Sequence, residues 1–244
     1  MEFGEHPSPN FGERVAGKPV DMILLHYTGM PSAVGALNWL SDPRSAVSAH
    51  YLVFEDGRIL RLVDESHRAW HAGKSLWAGE TDINSCSIGI EIANPGHEYG
   101  YRPFPEAQIA AVIALCRDIL ARHATPPERV LAHSDVAPLR KDDPGELFPW
   151  SVLHEAGVGH WVPPEPPVEG AIFKLGERGE VVKALRKALR AYGYDLAEGA
   201  EFDAGMEAVV RAFQRHFRPV LVDGVADAST VATLRRLASQ LRPK

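Results

Sequence analysis

The sequence predicts an α/β domain, a mixed central sheet flanked by helices, followed by a small all-α unit of three helices. Three observations carry this reading. Short strand-like apolar runs are interspersed with helical periodicity through residues 1–161, the mixture that packs helices against one sheet. Four prolines then fall within residues 162–170, where neither a helix nor a central strand continues. Beyond this seam only helical periodicity is found.

Residues 20–26 form a nearly continuous apolar run, as expected of a strand covered on both faces. Residues 51–55 and 58–63 flank Asp56-Gly57, a pair suited to a hairpin turn. Residues 87–93 read as another strand, closed by Asn94-Pro95-Gly96. After Pro105, the apolar residues Ile109, Val112, Ile113, Leu115, Ile119 and Leu120 recur at helical spacing as far as about His123. Residues 130–132 form a short strand leading into His133. The seam at 162–170 favours extended, stiff geometry and reads as a spacer. After it, residues 180–192, 203–217 and 229–241 are three amphipathic helices, a unit near the lower size limit for independent folding. The expected division is thus 1–161, 162–170 and 171–244.

Composition sets the broad class. With 45% hydrophobic and 24% charged residues, the 244-residue chain is ordinary globular protein. No apolar run approaches the roughly 18–20 residues of a membrane-spanning helix. The net charge of −6 argues against a nucleic-acid partner. Its distribution is uneven: residues 171–244 carry 13 Lys and Arg against 9 Asp and Glu, so the excess of acid lies before the seam. The two cysteines, Cys86 and Cys116, lie in apolar surroundings and read as buried free thiols. The first 18 residues lack the basic start and apolar stretch of a secretory leader. A cytoplasmic chain and an exported chain that has lost its signal both fit this beginning.

Chemistry concentrates in three places. Histidines end two strands, in Leu25-His26-Tyr27-Thr28 and Ala132-His133-Ser134-Asp135, and the charged loop Arg140-Lys141-Asp142-Asp143-Pro144-Gly145 follows. Two ring nitrogens and a loop carboxylate can hold Zn²⁺ and leave a fourth position open. Strand-end histidines and charged turns also serve structure alone, and spacing does not separate the two readings. Glu91 interrupts the apolar Ile88-Gly89-Ile90-Glu91-Ile92 and needs a partner. That partner is either an arginine or the water of a metal site, where the carboxylate would act as general base.

Further motifs follow the same order along the chain: Ile23-Leu24-Leu25-His26-Tyr27-Thr28, Val47-Ser48-Ala49-His50-Tyr51, Ala69-Trp70-His71-Ala72-Gly73, Ile83-Asn84, Ser87 to Ile92, His133-Ser134-Asp135-Val136-Ala137-Pro138, and Arg140 to Gly145 with Phe148-Pro149-Trp150. Across about residues 20–150 the chain resembles the zinc-dependent N-acetylmuramoyl-L-alanine amidases of the AmpD/AmiD type, relatives of the peptidoglycan recognition proteins and phage amidases. The resemblance implies one Zn²⁺ per chain with His26, His133 and Asp143 as ligands. It implies Glu91 as general base, Lys141 as the oxyanion-stabilising lysine, and Trp70, His71, Asn84 and His50 as residues of the substrate pocket, although His50 is equally a candidate core residue. Phage and animal members have cysteine at the position of Asp143, and phage members have tyrosine at that of Ala49. The chain departs from both, which leaves Glu91 as the base.

Residues 171–241 resemble a three-helix peptidoglycan-binding domain through Leu175 to Arg186, Tyr192-Gly193-Tyr194, Ala208 to Gln214 and Val222-Asp223-Gly224-Val225. The function implied is hydrolysis of the bond between N-acetylmuramic acid and L-alanine, with peptidoglycan or muropeptides as partners. A non-catalytic peptidoglycan sensor of the same fold is the alternative in another class, and a stem-peptide peptidase is the alternative reaction. The sequence leaves open the compartment, the form of the sugar, the stem-peptide preference and the oligomeric state.

Overall fold

The computed structural model describes residues 3–166, 170 and 172–241. The chain opens with β1 (Gly4–Glu5), β2 (Phe11–Glu13), β3 (Met22–Tyr27) and helix α1 (Ala33–Ser41). There follow β4 (Tyr51–Val53), β5 (Ile59–Arg61), β6 (His67–Ala69), the short α2 (Ile83–Cys86), β7 (Ser87–Ile92) and α3 (Glu106–Arg122). Strand β8 (Val130–Ala132) leads directly into α4 (His133–Val136), and α5 (Trp150–Glu155) precedes the seam. The C-terminal helices are α6 (Glu180–Tyr192), α7 (Ala204–Phe217) and α8 (Ala228–Gln240).

Six strands form a mixed sheet in the order β1-β5-β4-β7-β3-β8. Strands β4, β7, β3 and β8 run parallel, whereas β5 is antiparallel to β4 across the turn at Asp56-Gly57. Gly57 adopts φ 86° there, as the turn requires. A separate pair joins β2 to β6.

The run at β3 is apolar throughout because both faces of the sheet are covered. Side chains alternate along a strand, so Ile23 and Leu25 join Ile88, Ile90 and the α3 residues Val112, Leu115 and Ile119 in one core. Met22 and Leu24 point the other way, into a core that includes Trp77, Val136, Tyr194, Val209 and Phe213. His26 continues this second face.

Local signals end the helices close to where the pattern predicts. Pro105 precedes α3, and His123 leaves it in extended geometry. Asp203 caps α7 by accepting the Met206 N–H, and Asp227 caps α8 by accepting the Thr230 N–H. The expected strands at 20–26 and 87–93 are observed at Met22–Tyr27 and Ser87–Ile92. Residues 167–169, the middle of the stretch 162–170 expected to be a spacer, lie outside the described residues. Both cysteines are buried and free. Among the described residues no helix is long and apolar enough to cross a membrane.

The second core is continuous across the seam. Trp77, 1% exposed, packs edge-on against Tyr194 with ring centroids 4.9 Å apart. A Cβ on Gly193 would overlap its indole, and the Ala78 N–H donates to the Gly193 carbonyl at 2.8 Å. Truncating a large, fully enclosed aromatic typically costs about 3–5 kcal/mol. Trp77→Ala is therefore expected to lower stability by about that amount. Urea unfolding followed by circular dichroism should also show one wild-type transition for both units rather than two.

Candidate active site

The site lies at the carboxyl ends of adjacent parallel strands, where open α/β sheets place their ligands. In the β3–β7 register His26 stands opposite Glu91. In the β3–β8 register Leu25 stands opposite Ala132, so His133 emerges beside His26. One row of strand ends, β7-β3-β8, thus presents Glu91, His26 and His133 together. Asp143 arrives from the loop after α4, anchored by its carbonyl, which accepts the Ser134 N–H at 3.0 Å. Its peptide bond to Pro144 is cis.

The three side chains close a small triangle. His26 Nδ1 lies 2.9 Å from His133 Nδ1, and each lies 3.0 Å from Asp143 Oδ2. All three residues are buried. The outer hydrogen bonds decide what faces the centre. His133 Nε2–H donates to the Ala72 carbonyl at 3.0 Å, leaving Nδ1 with its lone pair inward.

Behind His26 the network runs outward in one direction. Ser87 O–H is committed to the Ile83 carbonyl at 2.6 Å. His71 Nε2–H therefore donates to Ser87 Oγ at 3.2 Å, and His26 Nε2–H donates to His71 Nδ1 at 3.1 Å. His26 Nδ1 then also points a lone pair inward. Burial first, and His133 second, lower the pKa of His26 to about 4, which keeps the ring neutral.

Two lone pairs and a carboxylate converge where no shared proton is supplied, and this donor set fits a cation. Zn²⁺ bonds of about 2.1 Å in tetrahedral geometry ask for ligand atoms about 3.4 Å apart. The triangle meets that demand by opening a few tenths of an ångström. His26, His133 and Asp143 are the described cluster able to hold a metal ion.

Glu91 sits beside the triangle. Its Oε2 is enclosed and has no hydrogen-bond partner among the described residues. Burial, and after it the Asp143 carboxylate, raise the Glu91 pKa well above its ordinary value, while Lys141 pulls against them. Among the described residues no arginine pairs with it, so the arginine partner that the sequence allowed is not observed. Glu91, Lys141 and the triangle line one cavity of about 440 Å³, with Tyr27, Trp39 and Trp70 among its walls.

The other pocket candidates divide. Trp70 and His71 line the cavity. Asn84 and His50 stand behind the wall. Asn84 Oδ1 accepts the His71 and Ala72 N–H groups at 3.1 and 2.8 Å and so fixes the backbone carrying both. His50 is wholly enclosed; its Nδ1 accepts the Gly89 N–H at 2.9 Å and its Nε2–H donates to the His67 carbonyl at 3.2 Å. Gly89 has no room for a side chain, because a Cβ there would overlap the His71 ring.

Sequence reasoning assigned no role to Asp135, and it missed the part His71 plays behind His26. The signal for Asp135 was its place in the His133-Ser134-Asp135 motif, as a carboxylate within an apolar segment.

Comparison with known proteins follows the same division of the chain. A family model described as N-acetylmuramoyl-L-alanine amidase matches residues 16–146, and one for a peptidoglycan binding domain matches residues 178–234. N-acetylmuramoyl-L-alanine amidase AmiD of Escherichia coli K12 is 40% identical over 234 residues, covering 89% of this chain and 82% of the relative. The solved complex of E. coli AmiD with anhydro-N-acetylmuramic acid-L-Ala-D-gamma-Glu-L-Lys is similar at a TM-score of 0.77 and 36% identity, covering 95% of this chain and 98% of that one. AMPDH3 from Pseudomonas aeruginosa, in complex with anhydromuramic pentapeptide, reaches a TM-score of 0.76 at 31% identity, covering 96% and 98%.

The buried histidines imply a pH dependence. Burial, then the neighbouring Arg14 charge, lower the His50 pKa from 6.5 to about 3. The unfolded chain takes up this proton near pH 6.5 and the folded chain resists it. The associated stability is full above about pH 6.5 and is lost as pH falls toward about 3. Urea midpoints of chelator-treated protein should decline across that window, and the His50 ring should remain neutral by NMR at pH 5.

Proposed function

The chain belongs to the N-acetylmuramoyl-L-alanine amidase family, and we propose that it hydrolyses the amide between N-acetylmuramic acid and L-alanine using one Zn²⁺ held by His26, His133 and Asp143. One observation carries the metal assignment: two histidine lone pairs and a carboxylate converge within 3.0 Å, with Glu91 on the adjoining strand. When bound, Zn²⁺ supplies Lewis-acid chemistry, polarising the carbonyl and acidifying water.

The chain's own groups do the rest. Glu91 takes the proton of the attacking water and returns it to the departing amine of L-alanine. Its low-dielectric setting raises its proton affinity, as a base working near neutral pH requires. Lys141 places its ammonium against the negative charge developing on the lactyl oxygen. His71 and the Ala72 carbonyl fix the ring orientation of His26 and His133, so that no ligand rotates as charge shifts. Trp70 offers an aromatic face to the sugar, while Asn84 and His50 hold that wall from behind.

Peptidoglycan or muropeptides are the substrate class, a reading supported by the complexes of E. coli AmiD and P. aeruginosa AMPDH3 with anhydromuramyl peptides. Residues 1–161 are the catalytic unit in this reading, 162–170 a spacer, and 171–244 the peptidoglycan-binding unit.

Mass spectrometry of a purified muropeptide tests the reaction. Free sugar and a peptide beginning at L-alanine are expected, abolished by a chelator and restored by Zn²⁺; an intact muropeptide in the presence of Zn²⁺ would turn the assignment toward a sensor. Glu91→Gln should retain its metal and lose activity by a factor of about 10²–10⁴. Lys141→Ala should cost turnover about 10²–10³-fold. Metal analysis alongside initial rates separates both effects from loss of the ion.

A further inference from the structure

Helix α7 and the turn after α6 touch the two segments that carry His133 and Asp143, and they do so with polar side chains. Asp135, two residues beyond His133, is wholly enclosed. Its carboxylate accepts the Ala132 N–H at 2.8 Å, the Tyr194 O–H at 2.7 Å and His216 Nδ1 at 2.7 Å. Two of these three partners come from beyond the seam. His216 is in turn fixed between Trp150 and Phe217, with ring centroids 3.7 and 3.8 Å away.

The preceding residue on α7 reaches the other segment. Arg215 pairs with Asp142 at 2.7 Å, the neighbour of Asp143, and lies 3.8 Å from Glu146. Glu146 accepts from His97 Nε2 at 3.2 Å, and His97 Nδ1 accepts the O–H of Tyr27, the residue after His26, at 3.0 Å. Consecutive α7 residues thus bear on both ligand segments, and the chain of contacts extends to the end of β3.

Adhesion alone does not require this arrangement. Apolar packing around Trp77 already joins the two units, and hydrogen bonds and ion pairs add direction where packing adds only attraction. A buried carboxylate such as Asp135 is costly unless its partners are in place, so its orientation is tied to the seating of α7.

We propose that the C-terminal helical unit positions the metal centre: Tyr194 and His216, through Asp135, and Arg215, through Asp142 and Glu146, hold the segments bearing His133 and Asp143 at ligating separation. The inference rests on the metal reading above. Tyr194, Arg215 and His216 are positioning residues. Tyr194, His216 and Arg215 do not line the cavity.

The test uses the full chain, with Co²⁺ as a spectroscopic replacement for Zn²⁺. Removing groups that orient ligands typically weakens metal binding by about 10–100-fold. Arg215→Ala and Tyr194→Phe are expected to bind Co²⁺ at least about 10-fold more weakly in chelator competition, with a displaced visible band. Arg215→Lys should recover much of both. On a small soluble muropeptide the loss should fall on kcat rather than KM. Arg190→Ala removes an ion pair to Glu198 within the same unit that reaches neither segment, and should behave as wild type.

Wild-type affinity and spectrum in both Arg215→Ala and Tyr194→Phe would overturn the proposal and leave the metal site standing. Should Tyr194→Phe fail to fold, the Arg215 pair of variants decides alone. A wild-type chain that takes up no Co²⁺ or Zn²⁺ would remove the metal reading and this inference with it.

Discussion

Convergent lone pairs repel one another, and a protein that buries three of them together needs something to hold them there. In this chain the restraint comes from the outside of the rings. The Ala72 carbonyl and His71 each occupy the outer nitrogen of a histidine, so neither ring can turn its lone pair away. His71 is in turn pinned by Ser87 and by the close approach of Gly89, and the backbone around it by Asn84. Much of the second face of the sheet therefore serves to maintain an arrangement that is unfavourable without a cation. This accounts for the number of polar groups buried there, in a layer where apolar packing would cost less.

The elements legible in the sequence are those with enough length or local punctuation to show a period. Helix α6 is observed over its expected residues because an amphipathic pattern runs straight into Gly193, and α3 because Pro105 marks its start. Strands of two or three residues such as β1, β2 and β6 offer no period to read. Helix α1 is short, and its one clear signal is the Ser32 cap, which accepts the Gly35 N–H.

The candidate site was legible for a related reason. His26, Glu91 and His133 each belong to a short motif on a strand or at its end, and the parallel sheet aligns those ends. The supporting groups were not legible, because their partners lie far along the chain. His71 meets His26 across 45 residues, Tyr194 meets Asp135 across 59, and His216 meets Asp135 across 81. Helical periodicity accounts for Phe213 and Phe217 as core but says nothing about which segment the polar residues between them will reach. The proline-rich seam suggests separable units, whereas the packing of Trp77 against Tyr194 and Gly193 shows one core shared across it.

The pairing of His26 with Glu91 sets a limit on how such a chain can change over time. The two residues share a face of the sheet only because β3 and β7 are in one particular register, and neighbouring positions on a strand point to opposite sides. Gaining or losing a single codon within either strand would reverse the parity of everything beyond it and turn one of the two residues toward α3. The connections between strands carry no such parity, and surface loops tolerate insertion at small entropic cost. A change in loop length therefore leaves the pairing of His26 with Glu91 intact, whereas a change in the residue count within β3 or β7 breaks it.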